Sequence, residues 1–239
     1  HGPDAAEIGD GGEKRDLGLE ITQEAHGSCH VGGGGDPLRT YERLINRGTL
    51  DGFILTFPVL GDRRIERLIR GDVAFVVHGP AVGDDRYAFF DVDNHAISAA
   101  AADVLADHGH RRIALLAGPE LWPSVAERLR GYCDALLRRG VPFDPALVRH
   151  GDTSPAFGAR AAVELMASGP DAPTALICCN SLAAAGACAA LGDLGLRVPG
   201  DVSLVAHDDD LPQVDVAALD PPLTVTRAPL RAAAEPLAA

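Results

Sequence analysis

The chain has 239 residues, 46% of them hydrophobic, enough for one or two domains with cores of their own. A formal net charge of −13 excludes a protein whose own surface neutralises nucleic-acid phosphates, so any DNA contact is expected from a part outside this sequence. No apolar run approaches membrane-spanning length, and five cysteines (Cys29, Cys133, Cys178, Cys179, Cys188) without a Cys-x-x-Cys pair fit reduced thiols in the cytoplasm better than a disulfide framework.

Along the chain, residues 5–16 carry a helical pattern weakened by Gly9, Gly11 and Gly12, and 17–22 read as a strand. Residues 26–36 read as a loop. Its glycines, Gly32 to Gly35, lack the Gly-Lys-Ser/Thr that would follow in a phosphate cradle. Asp36 and Pro37 supply an N-cap and a first helical residue, and Leu38, Tyr41, Leu44 and Ile45 follow at helical spacing. Strands are predicted at 52–57, 73–77 and 88–92, with a short helix marked by Ile65, Leu68 and Ile69 between the first two. Asp93 can cap a helix bearing Ile97, Ala101, Val104 and Leu105.

The rhythm then repeats: strands at 113–117, 147–150, 175–179, 202–206 and 223–226, with helices after Trp122, Ser154 and Asn180 and the start of another at 229–239. Strands alternating with helices of 10–15 residues imply parallel sheets with helices on both faces. The number of strands divides into two similar lobes, with a break near residues 109–112.

Ligands of open parallel sheets bind beyond the carboxyl ends of the strands. In the second half those ends carry Trp122 and Ser124, then Asn180, then His207 with Asp208, Asp209 and Asp210, and Arg128 lies one turn into a helix. An aromatic face, an amide, carboxylates and a guanidinium suit a polyhydroxylated ligand. Each has a plainer reading: Asn180 caps its helix, Asp208 caps a turn, Trp122 is core, and Arg128 pairs with a carboxylate. The acidic run does not by itself make a metal site, because one loop seldom supplies a coordination sphere. No Gly-x-Ser-x-Gly or His-Glu-x-x-His motif points to hydrolysis, so no enzyme and no cofactor is expected.

Five ordered segments resemble the LacI/GalR family. They are GHRRIALLAGP from Gly109, the Arg-x-x-Gly-aromatic motif Arg128 to Tyr132, PTALICCN ending at Asn180, LGLRVPGDVSLV from Leu194, and PPLT from Pro221 followed by Arg227. His78-Gly79, Asp91 to Asn94 and His207 to Asp210 are most similar to regulators of α-glucoside and related sugar operons. Ser181 stands where the family usually has an acid, and Thr153 where it often has an aromatic.

The resemblance implies a periplasmic-binding-protein-like α/β fold of two Rossmann-like parallel-sheet lobes. Residues 1–109 with 228–239 would form the first lobe, its first strand missing, and 110–227 the second. It implies effector contacts at Asp93, Arg128, Asn180 and Asp208, with Trp122 and Ser124 in the adjoining loop. It also implies a cytoplasmic, homodimeric, sugar-responsive regulator, expected to be a repressor, that reaches operator DNA through a helix-turn-helix headpiece absent from this sequence. A solute-binding protein of a sugar transporter is the alternative with the same fold.

Overall fold

The computed structural model describes residues 37–48, 52–83, 86–208 and 214–228. The helix and strand expected at 5–16 and 17–22, the glycine loop, and the helix expected at 229–239 lie outside them.

In the first part, α1 (Pro37–Arg47) precedes β1 (Phe53–Thr56), α2 (Arg63–Arg70), β2 (Phe75–His78) and β3 (Ala88–Phe90). The three strands form a parallel sheet in the order β1-β2-β3. Its core gathers Tyr41, Leu55, Ile65, Leu68 and Val77, the apolar positions of the helical and strand patterns.

In the second part, α3 (Asn94–Asp107), β4 (Ile113–Ala117), α4 (Pro123–Arg138), β5 (Val148–His150), α5 (Pro155–Met166), β6 (Ala175–Cys178), α6 (Ser181–Asp193), β7 (Ser203–Asp208) and β8 (Thr224–Arg227) follow. The strands pair in parallel in the order β5-β4-β6-β7-β8. The order turns back beside β4, so β4 and β6 flank the position where such sheets bind ligands.

Strand alternation gives this sheet two cores. Ile113, Leu115, Ala117, Ala175, Ile177 and Val205 face Ala102, Leu105, Tyr132 and Leu136 of α3 and α4. Ala114, Leu116, Leu176, Leu204 and Ala206 face Phe157, Leu165, Ala187 and Leu191 of α5 and α6. Glycines set the helix spacing. A Cβ on Gly131 of α4 would fall 2.1 Å from the His95 carbonyl oxygen of α3. Across the sheet, Gly158 and Gly186 each admit a backbone carbonyl, of Ala183 and Pro155, at 1.9 Å from where a Cβ would be.

The sequence places the end of the first lobe at residue 109, where Gly109 turns with φ +90°. Ala99, Ala101, Ala102, Leu105 and Ala106 share a core with the second sheet, so α3 packs with that sheet. The reason is nonlocal: α3 buries its small face against α4, which the turn at Gly109 does not reveal.

Candidate ligand crevice

Arg128 is the hub of the crevice. It projects from α4 across the carboxyl end of the sheet. Its Nη1 donates to the Cys179 carbonyl at 2.7 Å and its Nε donates to Asn94 Oδ1 at 2.8 Å. Two acceptors from two elements fix the plane of the guanidinium, which a lysine ammonium would not do. Beside it lies a narrow cavity of about 20 Å³, room for about one water molecule, with Ser98, Val125, His207 and Thr226 in its lining. Ser98 Oγ is buried there without a hydrogen-bond partner. His207 is buried, with Nδ1 3.2 Å from Thr226 Oγ1. Burial first, and the nearby Arg128 charge second, push its imidazole down to about 3, so the ring is neutral at physiological pH.

Asp93 is exposed and caps α3, its Oδ1 accepting the Ala96 N–H at 2.8 Å. The residue that reaches Arg128 is its neighbour Asn94, whose Nδ2 donates to Asp91 Oδ1 at 3.1 Å and to the Val92 carbonyl at 3.2 Å. Burial raises the Asp91 carboxyl above its ordinary range.

Asn180 does cap α6: Oδ1 accepts the Ala183 N–H at 2.8 Å. Its Nδ2 also donates to the Thr153 carbonyl at 3.0 Å, tying the ends of β6 and the α5 loop together. Its oxygen also accepts a long contact from the Cys179 thiol at 4.0 Å, while its amide has a second N–H beyond the one given to Thr153.

Asp208 lies in β7 rather than in a turn, because the strand continues two residues beyond its expected end to pair with β8. It is 2% exposed, and the register sets it opposite Arg227, whose Nε donates to its Oδ2 at 2.8 Å with a second, closer bond from Nη2. His207 and Asp208 alternate: His207 faces the α3–α4 side with Arg128, and Asp208 the opposite side with Arg227.

Ser124 sits half-buried in the first turn of α4. Trp122 is the residue before that helix, with extended backbone and no side-chain cap. A Cβ on Gly118 would lie 3.1 Å from Val125 Cγ2, so the glycine at the end of β4 eases the close approach of α4, while Thr153 and the Trp122 ring would stand at ordinary contact distance. The Trp122 ring stacks on Phe57, from the end of β1, with centroids 4.5 Å apart and planes at 21°. Such pairs contribute about 0.5–1.5 kcal/mol beyond burial. Phe57 adopts φ +51°, a left-handed conformation that costs a non-glycine residue roughly 1–2 kcal/mol. It is held by Arg64, whose Nη2 donates to the Phe57 carbonyl at 3.1 Å while pairing with buried Asp62 at 2.7 Å.

Phe57 and Ser98 stand around this crevice without being named in the sequence reading, whereas Asn94 and His207 are named there at element ends but not chosen as contacts. Reading the strand ends of the first sheet as closely as those of the second flags Phe57. Among the described residues, no three His, Cys, Asp or Glu side chains are grouped as a metal ion would need.

The profile of the periplasmic binding protein-like domain matches residues 102–239, more than half of the chain. A regulatory protein of the LacI family from Chloroflexus aggregans superposes with a TM-score of 0.75 at 32% identity, covering 84% of this chain and 71% of that one. The chain therefore belongs to the LacI family. The transcriptional regulator CelR–cellobiose complex gives a TM-score of 0.75 at 32% identity, over 83% of this chain and 61% of that one. The HTH-type transcriptional regulator AglR of Rhizobium meliloti is 39% identical over 199 residues, 83% of this chain and 56% of AglR. The repressor CytR of Escherichia coli is 32% identical over 218 residues, 89% of this chain and 62% of CytR. The chain spans little more than half the length of these curated relatives.

Proposed function

We propose that this chain is the effector-binding region of a saccharide-responsive transcription regulator, binding its ligand without turning it over. One observation carries the reading: the Arg128 guanidinium is held rigidly at the turning point of the second sheet, bonded to Asn94 and to the carbonyl beside Asn180. A preorganised fork of donors, with an amide on the adjoining strand end and aromatic rings on the next loops, suits vicinal hydroxyls on a ring with an apolar face. The CelR complex with cellobiose supports a saccharide as the ligand class. The lobes divide at the crossing before α3 and close on the ligand, with Asp93 beside that crossing and Arg128, Asn180, Asp208, Trp122 and Ser124 on the second lobe. The protein acts in the cytoplasm as a homodimer. DNA is contacted by a helix-turn-helix outside these residues, as the HTH-type names of longer relatives and the net charge of −13 suggest.

Calorimetry against a panel of mono- and disaccharides tests the site. Arg128→Ala and Asp208→Ala are each expected to weaken binding about 10- to 100-fold, the size of a charged hydrogen bond. Unchanged affinity in both variants would remove the assignment.

A further inference from the structure

The extensive contacts between helices and strands all fall within the first part of the chain or within the second. With so little surface shared between the elements of the two lobes, movement of one against the other is the default, and a single good contact is enough to bias it. Phe57 and Trp122 make such a contact. The other ring pairs each lie inside one part, whereas this one joins the end of β1 to the start of α4.

Each ring is anchored on its own side. Trp122 packs against the core shared by α3, α4 and the second sheet. Phe57 stands outside the core of its own sheet and is 36% exposed even with Trp122 against it. Burial in its own lobe therefore does not account for its place. Its backbone sits at φ +51°, and a buried pair holds it there: Asp62 caps α2 through the Arg64 N–H at 2.9 Å, and Arg64 Nη2 donates to the Thr56 carbonyl at 3.3 Å and to the Phe57 carbonyl at 3.1 Å. Strain of this kind persists only where the surroundings fix it. Here they fix a ring that packs on the other lobe.

We propose that the Phe57–Trp122 stack is a latch between the lobes, which biases the ligand-free chain toward the closed form. A ring pair of this geometry shifts the closed-to-open ratio by about 2- to 10-fold, so the chain is biased toward closure and not locked in it. A ligand then has less closure left to drive. The latch requires the two-lobe arrangement but no particular ligand.

Size-exclusion-coupled X-ray scattering of the ligand-free chain, compared at matched oligomeric state, is the test. Phe57→Ala is expected to have a larger radius of gyration than the wild type, and Phe57→Tyr to restore the wild-type value. Phe57→Gly suits the left-handed backbone better than phenylalanine does, so it keeps the turn and removes only the ring. It is expected to expand the chain as Phe57→Ala does. Trp122 is the single tryptophan, and its emission is expected to move to longer wavelength in both ring-less variants. Titrated with the tightest-binding of glucose, maltose, trehalose and cellobiose, these variants are expected to lose up to about tenfold in affinity and to compact more on saturation than the wild type. An unchanged ligand-free radius in both ring-less variants, or an expansion that Phe57→Tyr fails to reverse, overturns the latch and leaves the Arg128 reading standing. Weaker binding with an unchanged ligand-free radius also overturns it, because Phe57 is then a ligand contact. A chain that binds no saccharide overturns the ligand reading alone, since the latch is measured without ligand.

Discussion

At the scale of single residues, two charged or titratable side chains decide what the crevice can do. Arg128 spans acceptors on two elements, and the geometry rather than the charge is what those acceptors read. Arg128→Lys keeps the charge and loses the fork, so its ligand affinity is expected to fall nearly as far as that of Arg128→Ala, by roughly tenfold or more in a calorimetric titration. A full retention of affinity in the lysine variant would mean that the guanidinium acts only as a point charge.

His207 makes a prediction of a different kind. Its folded-state pKa of about 3 lies below the ordinary 6.5, so the unfolded chain takes up a proton that the folded chain refuses. The resulting stability is fully present above pH 6.5 and is lost as pH falls from there toward 3. The slope is up to about 1.4 kcal/mol per pH unit once the unfolded imidazole is charged. His207→Asn retains a partner for Thr226 and removes the titration. Urea melts between pH 7 and 5 are expected to decline more shallowly for this variant than for the wild type.

At the scale of elements, helix packing rests on single missing methyl groups. Gly131→Ala puts a Cβ onto the His95 carbonyl and forces α3 off α4, so a loss of about 1–3 kcal/mol in urea melts is expected. Gly192→Ala in α6 is the control: a Cβ there meets nothing, and the gain expected is up to about 1 kcal/mol. The same glycine explains why Arg-x-x-Gly-aromatic is a unit: Arg128 reaches the crevice, Gly131 admits α3, and the Tyr132 hydroxyl donates to the Ile113 carbonyl at 2.8 Å. At the opposite end of the sheet, His110 bridges Thr174 and Ser203 at 2.8 and 2.9 Å, joining the segments that open β4, β6 and β7.

What was legible in the sequence at this scale was what local chemistry determines. The caps Asp93, Ser154 and Asn180 start helices where expected, because capping needs only the next three residues. The parallel strands of the second sheet followed from apolar runs of the right length. The extension of β7 to Asp208 was not legible, because it depends on β8 nineteen residues on. Nor was the partner of Arg128, since Asp93 and Asn94 are equally polar and only packing decides which one turns inward. The strand-end position flags Phe57, but its left-handed conformation leaves no local signal and shows only through Arg64 and Trp122.

At the scale of the whole molecule, the question is whether ligand energy reaches the crossing between the sheets. Arg128 holds Asn94, and Asn94 holds Asp91 and the Val92 carbonyl, the segment that leaves β3 for α3. A ligand that engages Arg128 therefore acts one bond from the crossing. Closure can be driven only by a difference in affinity between open and closed forms, typically about 1–3 kcal/mol. Two measurements separate binding from closure. Saccharide at a hundred times its dissociation constant is expected to stabilise the chain by about 2.7 kcal/mol, seen as a rise in Tm of roughly 5–10 °C that Arg128→Ala abolishes. If the lobes close, the radius of gyration from X-ray scattering falls in the same titration. Asn94→Ala, which keeps the fork on Cys179 but cuts its link to the crossing, is expected to retain most of the Tm shift and lose most of the compaction. Equal loss of both would place Asn94 in the ligand's own contacts instead of in the path between cleft and crossing.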